Sequence, residues 1–212
     1  MTSKIVNSYH GSKSGLKGKI KPNSRKECDF GCGFYMGTNK EQPINLISRF
    51  KHAHLYTLHL KTEDLTVYTF NSKFLWAMFI AYNRGMIPLN SLLYENLSTT
   101  FMHIENHDVI VGTIADDRMF YVLEQFFDDA ITDKALYACL DCMKLGSQVV
   151  LKTKKACANV EVVRAEKLSI EIKKEYLNKS AQMRKDIGNL VNKLKRENRD
   201  GQYFSDILEG GI

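Results

Sequence analysis

Asp29-Phe30-Gly31-Cys32-Gly33-Phe34-Tyr35 is the stretch on which the reading of this chain turns, and its companion upstream is Tyr9-His10-Gly11-Ser12. Two closely spaced glycines let a backbone bend sharply or pass near a flat ligand, and the aromatic neighbours offer faces on which a planar ring can stack. With a histidine one loop upstream, the two clusters predict a pocket for a planar ring carried on a sugar. Residues 12–26, between them, are rich in Gly, Ser and Lys and include Pro22, so they read as a connection too polar for a core.

Working outward, Ile5 to Tyr9 and Phe34 to Met36 are short strand candidates, and Pro43 to Phe50 reads as a helix with proline in its first turn. His54 to Leu60 and Leu65 to Phe70 alternate as a pair of strands around a Thr62-Glu63-Asp64 turn. Asn71 or Ser72 can cap a helix from Lys73 to Asn83, which Gly85 and Pro88 stop. Asp108 to Ile114 is a further strand, and Asp116 or Asp117 caps a helix running toward Phe127. Thr132 to Met143 is helical, and Gln148 to Lys152 and Val160 to Val163 are strands flanking a helical turn at Lys154 to Cys157. Strands and helices mix without regular βαβ alternation, so the expected class is α+β.

The 212 residues suffice for one well-buried domain with an appendage. The longest apolar run, Phe74 to Tyr82, is far short of a membrane span, and no secretory apolar region follows Met1. A cytoplasmic protein with no membrane partner is expected. Five cysteines without framework spacing fit a reducing compartment. Cys28-x3-Cys32 and Cys139-x2-Cys142 raise a four-thiolate zinc site, but the second pair falls in a helix and no chelating histidine accompanies either. The expectation is free thiols and no metal.

Residues 167–199 hold ten Lys/Arg against four acids, an excess of six that equals the whole chain's net charge; the first 26 residues are also basic. Within that segment Leu168, Ile172, Tyr176, Met183, Ile187, Leu190 and Leu194 recur at helical spacing. Residues 1–166 are therefore expected to form the main domain and 167–212 a basic amphipathic helix and tail. The helix reads as a brace on the domain, as a dimer seam, or as a surface for nucleic acid or a partner protein.

Tyr9-His10-Gly11-Ser12 followed by Phe30-Gly31-x-Gly33-Phe34-Tyr35 resembles the first two signature motifs of the ADP-ribosyltransferase superfamily. The branch is the His-Tyr-Glu one, which includes the poly(ADP-ribose) polymerases and diphtheria-type toxins. The chain is also similar to a bacterial family catalogued as a domain of unknown function. That pattern is carried by Ser24-Arg25, Asp29 to Tyr35, Trp76 with Asn83-Arg84, Ala115-Asp116-Asp117-Arg118, and Gln148 through Lys155-Ala156. The resemblance covers roughly residues 5 to 165.

The resemblance implies an ADP-ribosyltransferase-like fold, a split mixed or antiparallel sheet with flanking helices, and NAD+ as substrate. His10 would hydrogen-bond the ribose, Gly11 would offer its backbone to the nicotinamide amide, and Tyr35 would stack on the nicotinamide ring. Ser12, Arg25, Phe30 and Gly33 join the implied NAD+ contacts, with Arg25 matching the pyrophosphate. The family's catalytic glutamate falls at Gln148, an amide that can hold the 2′-hydroxyl without supplying negative charge. Glu161 and Asp117 are the acids that could substitute for it, although a strand-edge residue and a helix cap are the favoured readings of the two. ADP-ribose would go to a macromolecular acceptor, protein or nucleic acid, with a toxin or defence role held by a neutralising partner. The alternatives are an NAD+ glycohydrolase, with water as acceptor, and an inactive binding module.

Other readings fall away. Asp29-Phe30-Gly31 suggests a protein kinase, but no His-Arg-Asp loop or upstream Gly-x-Gly-x-x-Gly appears. His52, His54 and His59 lack the spacing of a ligand set, and Trp76, Phe79 and Tyr82 sit at core spacing.

Overall fold

A computed structural model describes residues 5–114, 116–143 and 145–210. Ala115, cited above, and the side chain of Arg184, one of the ten bases counted in residues 167–199, lie outside the described residues. β1 (Ile5–Ser12) is an inner strand of the sheet, longer than the expected stretch to Tyr9. It pairs antiparallel with β3 (His54–Lys61) along its full length. β3 takes β7 (Val160–Lys167) on its other side. On the opposite flank β1 meets β2 (Phe34–Gly37), which pairs with β6 (Ser147–Leu151). β6 pairs with β5 (Val109–Thr113), and β4 (Val67–Thr69) closes that edge in parallel. The sheet order is β4-β5-β6-β2-β1-β3-β7. A mixed, largely antiparallel sheet with flanking helices is thus the observed α+β architecture.

The hairpin expected between His54–Leu60 and Leu65–Phe70 does not form. Both edges of β3 are already occupied, by β1 and β7, so the later stretch crosses to the far edge of the sheet. The Asp108 carboxylate fixes it there, accepting from the Thr66 N–H and hydroxyl at 3.1 and 3.2 Å.

Helix starts follow side-chain chemistry. Ser72, Ser91, Asp116 and Ser169 cap α2 (Lys73–Asn83), α3 (Leu92–Glu105), α4 (Asp117–Phe127) and α7 (Ile170–Glu197) by accepting first-turn N–H groups. Each such cap contributes about 1 kcal/mol. α1 (Glu41–Ile47) packs on β1, α5 (Asp133–Met143) packs on α4 and α7, α6 (Lys154–Ala158) lies between β6 and β7 in the chain, and α8 (Phe204–Leu208) comes at the end. α3 and α8 had no counterpart in the sequence reading.

The largest core cluster joins Trp76, Phe79, Phe101, Ile110, Leu123, Phe126 and Val150. α7 belongs to it: Ile187, Val191 and Leu194 are buried there, and Phe204 and Ile207 of α8 join them. The helical seam is therefore filled from within the chain along its C-terminal half, while Tyr176 packs on the Ile44–Leu55 cluster. The boundary drawn at residue 166 falls inside β7. Among the described residues no helix is long and apolar enough to cross a membrane.

Candidate functional site

β1 and β2 share the register pair Tyr9↔Gly37 and then diverge, which splits the sheet. In that split the imidazole of His10 takes the role of a ladder bond. Its Nδ1 lies 2.7 Å from the Tyr35 main-chain oxygen, and because a carbonyl can only accept, Nδ1 carries the hydrogen. The ring stacks on Phe34 with centroids 4.4 Å apart. Burial holds the His10 pKa below the ordinary imidazole value, against the opposing effect of the Tyr35 carbonyl. A neutral ring with Nδ1 protonated leaves Nε2 as an acceptor.

Strand alternation sends Tyr35 to the other face of β2, toward the main core cluster. Its hydroxyl donates to the Gly31 carbonyl at 2.7 Å and accepts from the Phe30 N–H at 3.0 Å. The seven-residue stretch curls back on its own last residue, which fixes the ring where it packs on the main core cluster and lines the cleft described below. Burial pushes the phenol pKa far up, so the hydroxyl stays protonated.

The glycines of this stretch serve the chain itself. Gly31 adopts φ +69°, where L side chains are strained. A Cβ on Gly33 would lie 2.5 Å from Val150 Cγ1 and 3.0 Å from the Leu151 carbonyl. Phe30 is fully buried among Phe70 and Phe79. Neither Phe30 nor Gly33 lines the cleft, so the structure places these two expected ligand contacts in packing.

The cleft has a volume of about 890 Å3 and lies where the sheet splits, under α1 and α4. His10, Gly11, Arg25, Tyr35 and Gln148 all line it. Gly11 has no room for a side chain: a Cβ would stand 2.8 Å from both Ile47 Cγ2 and the Pro43 carbonyl of α1. Gln148 pairs with Gly37 across β2 and is 5 % exposed. Its Nε2 points to the Thr113 carbonyl at 3.4 Å. Ser12, paired with His54 at the strand end, is not a lining residue.

The two candidate acids separate. Glu161 is exposed on β7, paired with His59, with β3 and β1 between it and β2. It is not in the cleft. Asp117 is, and it is free of capping duty because Asp116 accepts from Arg118 and Met119. Glu124 and Asp128, on the same face of α4 as Asp117 and Phe120, also line the cleft. Their spacing, seven and eleven residues after Asp117, could have marked that face from sequence.

The sequence reading also left Arg84 without a partner. Its guanidinium bonds the Asp29 carboxylate, through Nη2 and through Nε at 3.1 Å, and lies 4.4 Å over the Phe120 ring. Both partners are about 15 % exposed, at 14 % and 15 %. The pair ties the signature stretch to the end of α2 and to α4. Among the described residues no grouping of His, Cys, Asp and Glu could hold a metal ion. The five cysteines are unbridged, and burial pushes the Cys139 thiol up to about 12.

The model of the family described as "Protein of unknown function (DUF3990)" matches residues 6–162, a span that includes every strand lining the cleft. No curated protein matches the chain.

Proposed function

Since the chain belongs to the DUF3990 family, whose description assigns no activity, we propose from the cleft itself that the protein cleaves NAD+ and transfers its ADP-ribose. One observation carries the reading: His10, Gly11, Tyr35 and Gln148, brought by three strands, line a single cleft. Its volume of about 890 Å3 lies within the range of small-molecule sites, roughly 300–1,000 Å3.

The chemistry follows from what each group has left to offer. The Tyr35 ring, its hydroxyl already engaged, supplies a stacking face for nicotinamide. His10 Nε2 accepts from a ribose hydroxyl, and the Gly11 backbone meets the carboxamide. Arg25, exposed at the cleft, suits the pyrophosphate through its planar fork. As the bond from nicotinamide nitrogen to ribose C1′ breaks, its electron pair leaves with the ring and positive charge grows on the sugar. Gln148 can accept from the 2′-hydroxyl through its amide oxygen. Asp117 and Glu124 supply negative charge to the cleft. The acceptor nucleophile then bonds to C1′ and releases a proton. Those two carboxylates also favour a second reading, in which water is the acceptor and free ADP-ribose the product.

The test is isotope-labelled NAD+ in a cell extract with the wild type and His10→Ala. Labelled macromolecule with the wild type and a loss of at least tenfold in the variant support transfer; labelled ADP-ribose alone supports hydrolysis. Intact NAD+ in both would refute the proposal.

A further inference from the structure

The connection from β1 to β2 carries Lys13, Lys17, Lys19, Lys21, Arg25 and Lys26, with no acidic residue between positions 13 and 26. All six are exposed. None forms an ion pair among the described residues, and Lys13 lies 4.8 Å over the Phe50 ring. The bases of α7 differ: acids are interleaved with them, and Lys179 and Lys193 pair with Glu175 and Glu197.

The loop has no regular secondary structure between Ser12 and Phe34, yet it is pinned. Leu16 and Ile20 pack on the Phe34–Leu58 cluster, and the Leu16 N–H donates to the Tyr56 hydroxyl at 2.8 Å. Ser24 exchanges bonds with Gly33, at 3.1 Å through its N–H and 3.0 Å through its hydroxyl oxygen. Apolar pins point inward and cations outward, so charge is held along a defined path that ends at Arg25 in the cleft. A row of fixed, unpaired cations with no interleaved carboxylate matches a regular polyanion, because each contact to a phosphate releases a condensed counterion. A folded protein, with mixed surface charge, gains less from such a row.

We propose that residues 13–26 form a docking strip for the phosphate backbone of a single-stranded nucleic acid, which is the ADP-ribose acceptor; this rests on the transfer reading of the cleft. The strand lies along the strip and presents a base to the cleft beside Arg25. The carboxylates Asp117, Glu124 and Asp128 stand on α4 and at its C-terminal cap, apart from the strip, and the first acid of the connection itself, Glu27, comes after its last cation.

The test uses the full chain and a variant carrying Lys17→Gln, Lys19→Gln and Lys21→Gln, which leaves Leu16, Ile20 and every cleft residue in place. Anisotropy of a short fluorescent single strand, as DNA and as RNA, is followed through a salt series. The wild type should bind, with log affinity falling linearly against log salt. Loss of three contacts should flatten that slope by about 2 and weaken binding at least tenfold at low salt. Equal binding by both proteins, or none by the wild type, overturns the inference. NAD+ affinity, measured on the same samples, should be unchanged in the variant; a wild type that binds oligonucleotide but not NAD+ refutes the transfer reading and leaves the strip standing. Label from NAD+ in nuclease-sensitive material supports the assignment of acceptor, and label in protease-sensitive material refutes it.

Discussion

The imidazole of His10 donates to the main-chain carbonyl of Tyr35 across 2.7 Å, so the two residues that mark this chain in sequence meet through backbone, not ring to ring. The bond spans the split between β1 and β2 and sets the imidazole tautomer at the edge of the cleft.

Burial of that imidazole gives stability a pH dependence. Burial lowers the folded pKa of His10 from the 6.5 of a free imidazole, so the unfolded chain takes up the proton first as pH falls. The His10 contribution is therefore present in full above pH 6.5 and drops as pH falls from there through the folded value. Urea unfolding between roughly pH 5 and 8 should show this slope in the wild type and lose it in His10→Gln.

Asp29→Ala should destabilise by about 3 kcal/mol, because it strands the Arg84 guanidinium with little solvent. The double variant Asp29→Ala with Arg84→Met should recover part of the loss. Denaturant midpoints for the cycle check it; additive effects would show that the pair is not coupled.

Two glycines should respond in opposite directions. Gly33→Ala pushes a methyl against Val150 and the Leu151 carbonyl and should cost about 2 kcal/mol. Gly188→Ala lies inside α7 with nothing within 4 Å of the added carbon and should stabilise by about 1 kcal/mol. Thermal unfolding of both variants separates packing from propensity.

Gln148→Glu places a carboxylate against the ribose and should raise the rate of nicotinamide release about tenfold, with the gain growing as pH rises through ionisation of the new group. Gln148→Ala should lower it. Steady-state rates across pH decide; a carboxylate that leaves the rate unchanged would remove Gln148 from the reaction.

Local patterns were legible where local chemistry decides. The pairs Asn71-Ser72 and Asp116-Asp117 announced α2 and α4, whose caps are Ser72 and Asp116, and the strands of the split half were placed to within a few residues, because capping and alternation act over short range. Pairing was not: Leu65–Phe70 reads as a hairpin partner of β3 until β7, a hundred residues later, takes that edge. The same limit applies at the site. Gly33 and Phe30 look like ligand contacts in sequence, but the opposing Val150 and Phe79 that claim them are distant in the chain. Glu161 and Asp117 were indistinguishable as candidate acids until the sheet order put one on the far edge and the other in the cleft.

The most direct test of the central claim is a calorimetric titration of NAD+ into the wild type and Tyr35→Ala. Saturable binding by the wild type, abolished or weakened at least tenfold when the stacking ring is removed, is the predicted result. No heat of binding with the wild type, or identical affinity in both proteins, would contradict the account.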